Sequence, residues 1–564
     1  MKRGMISRSR MIAAVALFLA AAGSGAAADR DRLVELAQAV DAERLRRHTV
    51  VLGGDALEGR APGSRGGELA AAYIAAELQR YGVEPAGDDG TFMQQVPLVA
   101  SLPLPGCRLT VTGLGERRVL GLGEDYLLHT TGAQTWLPRP TPLVFVGYGI
   151  VAPEFDYNDY ADVDVRGKGV VFLNGEPASD DPEYFAAGEP TLYSAVETKM
   201  RIALARGAVA SVMVPMPGAA PEWTALQRAY AFERVELAYA VPEHLGVLLN
   251  PALAEGLFAD ALYDFATVLS MRDRRTLRAF HLPVLLSFEG EFRVRSFLAP
   301  NVVGRIRGSG RRAAESAVVV SAHYDHLGVG PELHGDAVYN GVVDNAIGCA
   351  GLLEISRVLA GLPDALRRSV IVVFTTAEEQ GNLGARYFLD NPPMPTTKMV
   401  SNINIDGLAF LDTFADVIGI GAELSDLGRF IERTAGEFGL AISRPEDLAL
   451  GREAFARSEQ GVFAEAGIPS VLVSEGLTWR NTPRSQALKS VVSWMNTRYH
   501  SPQDDLHQPL DFEAARHHAG LILALVVEVA DAPRAPEWRP GSSYAYERLL
   551  RRAEEVAGPP PLRP

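Results

Sequence analysis

Cysteine is almost absent from this chain of 564 residues: Cys107 and Cys349 are the only two. At most one bridge can form, so no disulfide framework holds the fold, and both residues read better as buried free thiols. Long apolar runs are equally scarce. The run over residues 11–22 is too short for a spanning helix, which takes roughly 20 apolar residues, and no other membrane segment is read, so stable membrane insertion is not expected. Positive charge is in deficit: a net charge of −15 repels polyanions and excludes nucleic acid as an expected partner. Disorder as the dominant state is excluded by a globular balance of 47% hydrophobic and 22% charged residues. The length calls for two or three domains.

What the chain does have begins at its first residues. Lys2, Arg3, Arg8 and Arg10 precede the apolar run, and Ala26-Ala27-Ala28 closes a small-residue exit. Residues 1–28 are therefore read as a signal peptide cleaved near Ala28, without a following cysteine for a lipid anchor, giving a periplasmic or secreted protein. Residues 29–139 open the catalytic domain, with helical periods at 30–47 and 66–81. Between 140 and 290, strand-like runs at 143–148, 169–173 and 209–214 surround a helical stretch at 194–206, the pattern of a smaller inserted β-rich domain. From 291 to 532 uncharged strands at 317–322, 369–375, 399–405 and 470–474 alternate with helices at 348–359, 426–438 and 511–529. That alternation predicts an α/β fold with a mixed, largely parallel sheet sandwiched by helices. Residues 533–564 form a Pro-rich tail, with a surface helix expected at 544–556.

Five short motifs carry the chemistry, four of them near C-terminal edges of these elements, where open α/β sheets bind ligands. His323 and Asp325 follow the uncharged strand Val318-Val319-Val320, and two residues apart they face one side of an extended chain. Asp344, in Asn340-Gly341-Val342-Val343-Asp344-Asn345, would by itself serve equally as a helix N-cap. Glu378 and Glu379 end the next buried strand. Adjacent carboxylates there repel unless a cation or water is near, and their side chains point different ways, which permits one ligand and one general base. Asp406 before Gly407 could be a solvated turn, and His500 heads Tyr499-His500-Ser501-Pro502-Gln503-Asp504-Asp505. Together His323, Asp344, Glu379, Asp406 and His500 supply imidazoles and carboxylates, donors that zinc prefers. Charge favours two ions, because the carboxylates Asp344, Glu379 and Asp406 plus a hydroxide balance two divalent cations and leave a single one over-negative.

The order of these motifs resembles the co-catalytic two-zinc aminopeptidases, metallopeptidase family twenty-eight, over most of the mature chain. The resemblance implies a zinc-exopeptidase-like fold, with residues 55–85 similar to the family's N-terminal segment and 147–167 to its protease-associated insert. It implies two zinc ions bridged by Asp344, one completed by His323 and Asp406, the other by Glu379 and His500. Asp325 would orient His323, and Glu378 would be the general base. Peptides are the implied substrates, losing their N-terminal residue to a water activated between the metals. A carboxypeptidase or amide hydrolase on the same scaffold would use the same chemistry. A non-catalytic binding or receptor module is the reading from another class, disfavoured because every ligand is present. Val343 and Ile347 replace the polar residue and serine usual around the bridging aspartate, and Glu459-Gln460 stands where Asp-His is common. These departures bear on substrate preference and remove no ligand.

Overall fold

The computed structural model describes residues 32–557, except 114–115, 131–135, 180, 182–183, 186–190, 217–221, 241–243, 311–312, 363–365 and 445–452; the leader expected at 1–28 lies outside the described residues. Ten strands form the larger sheet. Its order is Arg234–Leu237, Met93–Pro103, Phe292–Ile306, Ser369–Thr375, Ala317–His323, Met399–Asn404, Ser470–Glu475, Asp416–Ile420 and Ala441–Ser443, with Glu84–Pro85 alongside Phe292–Ile306. The centre is parallel: Ala317–His323 runs parallel to both of its neighbours. The flanks turn antiparallel, at Phe292–Ile306 on one side and Asp416–Ile420 on the other. Every residue of the three central strands is buried, which is why these runs carry no charge: both faces meet helices.

One face is covered by Ala42–Leu52, Ile347–Ala360 and Phe512–Asp531, whose Leu45, Leu353 and Leu523 share a core with Val318 and Val320. The other face meets Leu383–Asp390 and Glu459–Glu465, where Phe388 and Phe463 pack on Val319 and Val373. The architecture is the mixed α/β sandwich that the strand and helix alternation predicts. Among the described residues no helix is long and apolar enough to cross a membrane. The helical period expected over 30–47 divides into 32–38 and Ala42–Leu52, because the Asp41 carboxylate accepts the N–H groups of Glu43 and Arg44 and starts a new helix.

A second sheet of eight strands has its own core, built on Leu143, Phe145, Val171, Val212, Phe258 and Phe280. It takes in Arg108–Gly113, Glu116–Leu120 and Tyr126–Thr130, which a boundary at 140 leaves with the catalytic part. Arg108–Gly113 pairs with Phe280–Glu289 and Tyr126–Thr130 with Leu245–Leu249, far along the chain, while Glu116–Leu120 joins through Arg108–Gly113, so nothing local announces the membership. In the opposite sense Arg234–Leu237, inside 140–290, pairs with Met93–Pro103 in the larger sheet. Both cysteines are buried and free, Cys107 in the core of the second sheet and Cys349 in that of the first.

Candidate metal centre

The parallel register brings the motifs together. His323 sits opposite Thr375 and Ser321 opposite Asn404, so the segments leaving these three strands emerge side by side at their C-terminal edge. His323 closes the first strand; Glu378 and Glu379 follow the second after Ala377, whose φ of 54° turns the chain; Asp406 follows the third. Asp344 lies in the turn opened by Gly341 at φ 57°, and its peptide bond to Asn345 is cis. It caps nothing: the helix Ile347–Ala360 starts from Ala346 without a side-chain cap. His500 arrives from the loop after the helix Arg484–Thr497, a helix the sequence reading does not include.

All five expected ligands converge. His323 Nε2 lies 3.2 Å from Asp344 Oδ1 and 3.3 Å from Asp406 Oδ1. His500 Nε2 lies 3.2 Å from Asp344 Oδ2 and 3.0 Å from Glu379 Oε2. One carboxylate thus presents each of its oxygens to a different set of donors. Tetrahedral zinc with bonds near 2.0–2.2 Å separates its donors by about 3.3 Å, so these spacings fit the edges of such a polyhedron. Exposure grades across the site: the side chains of His323 and Glu379 are 1% and 5% exposed, while Asp406 and His500 reach 27% and 37% and form the open rim.

Electrostatics show the same want of positive charge. Burial alone would lower His323, but Glu378, Asp344 and Asp406 outweigh it and raise the imidazole well above its usual range. His500 behaves likewise against Glu379 and Asp344. Burial works to raise Asp344 and Glu379, yet the imidazoles prevail and lower both, Glu379 to about 2. Protons on the two histidines are therefore held in place by surplus carboxylate, a load that divalent cations would take over. Glu378 is different. Burial first, then Asp406, Glu379 and Asp325, hold it well above the usual carboxylate range despite His323.

Asp325 does not hold His323 as the sequence reading expects. Its Oδ1 is 3.9 Å from Nδ1, beyond hydrogen-bond reach; Nδ1 instead lies 3.2 Å from the Asp325 main-chain carbonyl. The carboxylate accepts the Glu378 N–H at 3.1 Å, fixing the loop of the acid pair. Other supports escaped the sequence reading. His326 Nδ1 is 2.6 Å from Glu379 Oε1, Ser458 donates to Asp406 Oδ2 at 2.7 Å, and Asp504 accepts the N–H groups of Val343 and Asp344 at 3.0 and 3.1 Å. Each stands in or beside a motif named above, yet a side chain's partner is set by tertiary approach and not by spacing. Glu459, in the departing Glu-Gln pair, is fully buried against Thr375, and burial pushes it up to about 7.

Residues 301–526 match the model of Peptidase family M28. An 83-residue stretch is 30% identical to endoplasmic reticulum metallopeptidase 1 of Mus musculus, covering 15% of this chain and only 8% of that protein. Among solved structures, an aminopeptidase from Aneurinibacillus sp. strain AM-1 aligns over 90% of this chain and 96% of its own, at 16% identity and a TM-score of 0.53. A zinc aminopeptidase from Bacillus subtilis aligns over 88% and 97%, at 17% identity and a TM-score of 0.45. The first of these two shares the fold.

Proposed function

With residues 301–526 forming a peptidase family M28 domain, we propose that this chain is an exported two-zinc aminopeptidase releasing N-terminal residues from peptides. The observation that carries the reading is the carboxylate of Asp344, which offers Oδ1 to the His323 side and Oδ2 to the His500 side. His323, Asp344 and Asp406 would hold one zinc, and Asp344, Glu379 and His500 the other. Zinc, when bound, supplies Lewis acidity towards water and a peptide carbonyl. Glu378 takes the proton of the attacking water and returns it to the leaving amine, a role suited to a carboxylate whose proton affinity is raised. The name of the structural neighbour that shares the fold, an aminopeptidase, supports the choice of terminus. Export is supported by the leader pattern over residues 1–28, and N-terminal sequencing of the mature protein from its own host tests it: a start at Met1 overturns it.

The test compares free and N-acetylated aminoacyl chromogenic substrates, together with zinc content. We expect two zinc ions per chain, hydrolysis of the free substrate abolished by a chelator, and no hydrolysis of the blocked one. Equal turnover of both would overturn the aminopeptidase assignment, and a chain that binds no zinc would overturn the metal centre.

A further inference from the structure

Arg60 lies far from the matched domain in sequence and directly beneath the metal loops in space. It is 1% exposed. Its Nε donates to the carbonyl of Tyr324 at 2.6 Å, Nη1 to those of Leu52 at 2.6 Å and Asn340 at 2.5 Å, and Nη2 to that of Gly341 at 2.9 Å. Tyr324 is the residue between His323 and Asp325; Asn340 and Gly341 open the turn that ends in Asp344. One rigid planar fork therefore ties the loop of His323 to the loop of the bridging carboxylate, and no carboxylate is spent on it.

The segment that delivers it is shaped for this contact. Glu58, Gly59 and Arg60 stand at φ of 51°, 67° and 54°, consecutive left-handed residues that side chains rarely adopt. A Cβ on Gly59 would lie 2.3 Å from the Tyr339 carbonyl oxygen and 2.7 Å from that of Gly328, so the turn is pressed against the strands leading to Asp344. Asp55 adds a second tie, accepting from Asn340 Nδ2 at 2.9 Å. A buried guanidinium is costly to desolvate, and its charge is felt by Asp325, Asp504 and Asp344, the acidic groups of and around the bridging turn.

We infer that Arg60 is a positioning residue of the metal centre, setting the spacing of His323 and Asp344 through the main chain of their loops. The inference rests on the two-metal reading above. Lysine cannot substitute: its ammonium is a single point, whereas the carbonyls are spread across two loops and a helix end.

The test uses the full chain, comparing wild type with Arg60→Lys and Arg60→Met. Metal-free protein is titrated with zinc against a competing chelator, the visible spectrum is recorded after loading with cobalt, and kcat and KM are measured separately. Both variants are expected to bind zinc about 10- to 100-fold more weakly, the usual cost of losing a group that holds a ligand in place. Their cobalt bands should shift, and kcat should fall with KM little changed. Arg60→Lys, which keeps the charge, should fold and lie between wild type and Arg60→Met, so it decides alone if the methionine variant is insoluble. Wild-type zinc affinity and an unmoved cobalt spectrum in a lysine variant that melts lower would overturn the inference and leave Arg60 a purely structural residue. Wild type that takes up no zinc would instead overturn the metal centre itself.

Discussion

At the scale of single residues, Glu378 and Asp344 make opposite predictions. Glu378→Gln keeps shape and size and removes only the proton-accepting group. It should retain both zinc ions while kcat falls by roughly 10²–10⁴, the usual share of a general base; unchanged turnover would remove that role. Asp344→Ala withdraws a donor from both sets at once, since its two oxygens face His323 and His500 separately. Elemental analysis should find neither ion firmly held, and a variant that keeps two would contradict the shared carboxylate. Four of the candidate ligands, His323, Asp344, Glu379 and Asp406, were legible in the sequence because each stands at or beside the point where an uncharged run stops, and a polar residue there needs a reason; His500, in a loop after Arg498, was legible only in company with them. Arg60, His326 and Ser458 were not legible: an arginine in a Gly/Pro turn, a second histidine in a motif and a serine before a helix have ordinary surface explanations until the fold supplies their partners.

At the scale of elements, buried histidines make the helices sensitive to acid. His48, in Ala42–Leu52, bridges the hydroxyls of Tyr73 and Tyr81 at 2.7 and 3.0 Å. His518, in Phe512–Asp531, accepts the Ala409 N–H at Nδ1 and donates from Nε2 to the Val473 carbonyl. Burial lowers both to about 4. Above the unfolded value near 6.5 both states are neutral and nothing is lost. Between 6.5 and 4 the unfolded chain takes up protons that the folded one refuses, so stability falls as pH falls, by about 2.7 kcal/mol per unit for the pair. His518→Gln should flatten that slope by about half relative to the parent in denaturant melts from pH 4 to 7; parallel slopes would refute the assignment. The strand Arg234–Leu237 comes from within the expected insert yet pairs in the larger sheet, and its Val235 N–H donates to Gln380 Oε1 at 3.3 Å, one residue past Glu379. Val235→Pro removes that donor. If the insert walls the substrate channel, kcat/KM should fall more for long peptides than for dipeptides; an equal fall for both marks the strand as support only. The helix Arg484–Thr497 stayed hidden in the sequence because its Leu488, Val492 and Met495 face solvent, which defeats an amphipathic reading.

For the whole molecule, two sheets with separate cores predict two calorimetric transitions. Ligand binding stabilises only the unit that holds it, so chelation should lower the transition of the catalytic part and leave that of the second sheet in place. A single transition that moves as one would show the cores to be one cooperative unit. The division itself was only half legible. Alternating strands and helices after residue 291 announce the catalytic sheet, but the strands between Arg108 and Thr130 look alike whichever sheet receives them, and only their pairing with Phe280–Glu289 and Leu245–Leu249 decides it.

The last described helix, Ser543–Ala557, is more than a tail. Arg548 donates to the carbonyls of Thr396, Thr397 and Met399, and the Trp538 indole to that of Gly467. The first three carbonyls stand at the start of the strand whose far end leads to Asp406, and that of Gly467 lies just ahead of its neighbour Ser470–Glu475. The strand Met399–Asn404 lies well over a hundred residues ahead of its latch in the chain, so part of its anchoring waits on the docking of a distant helix.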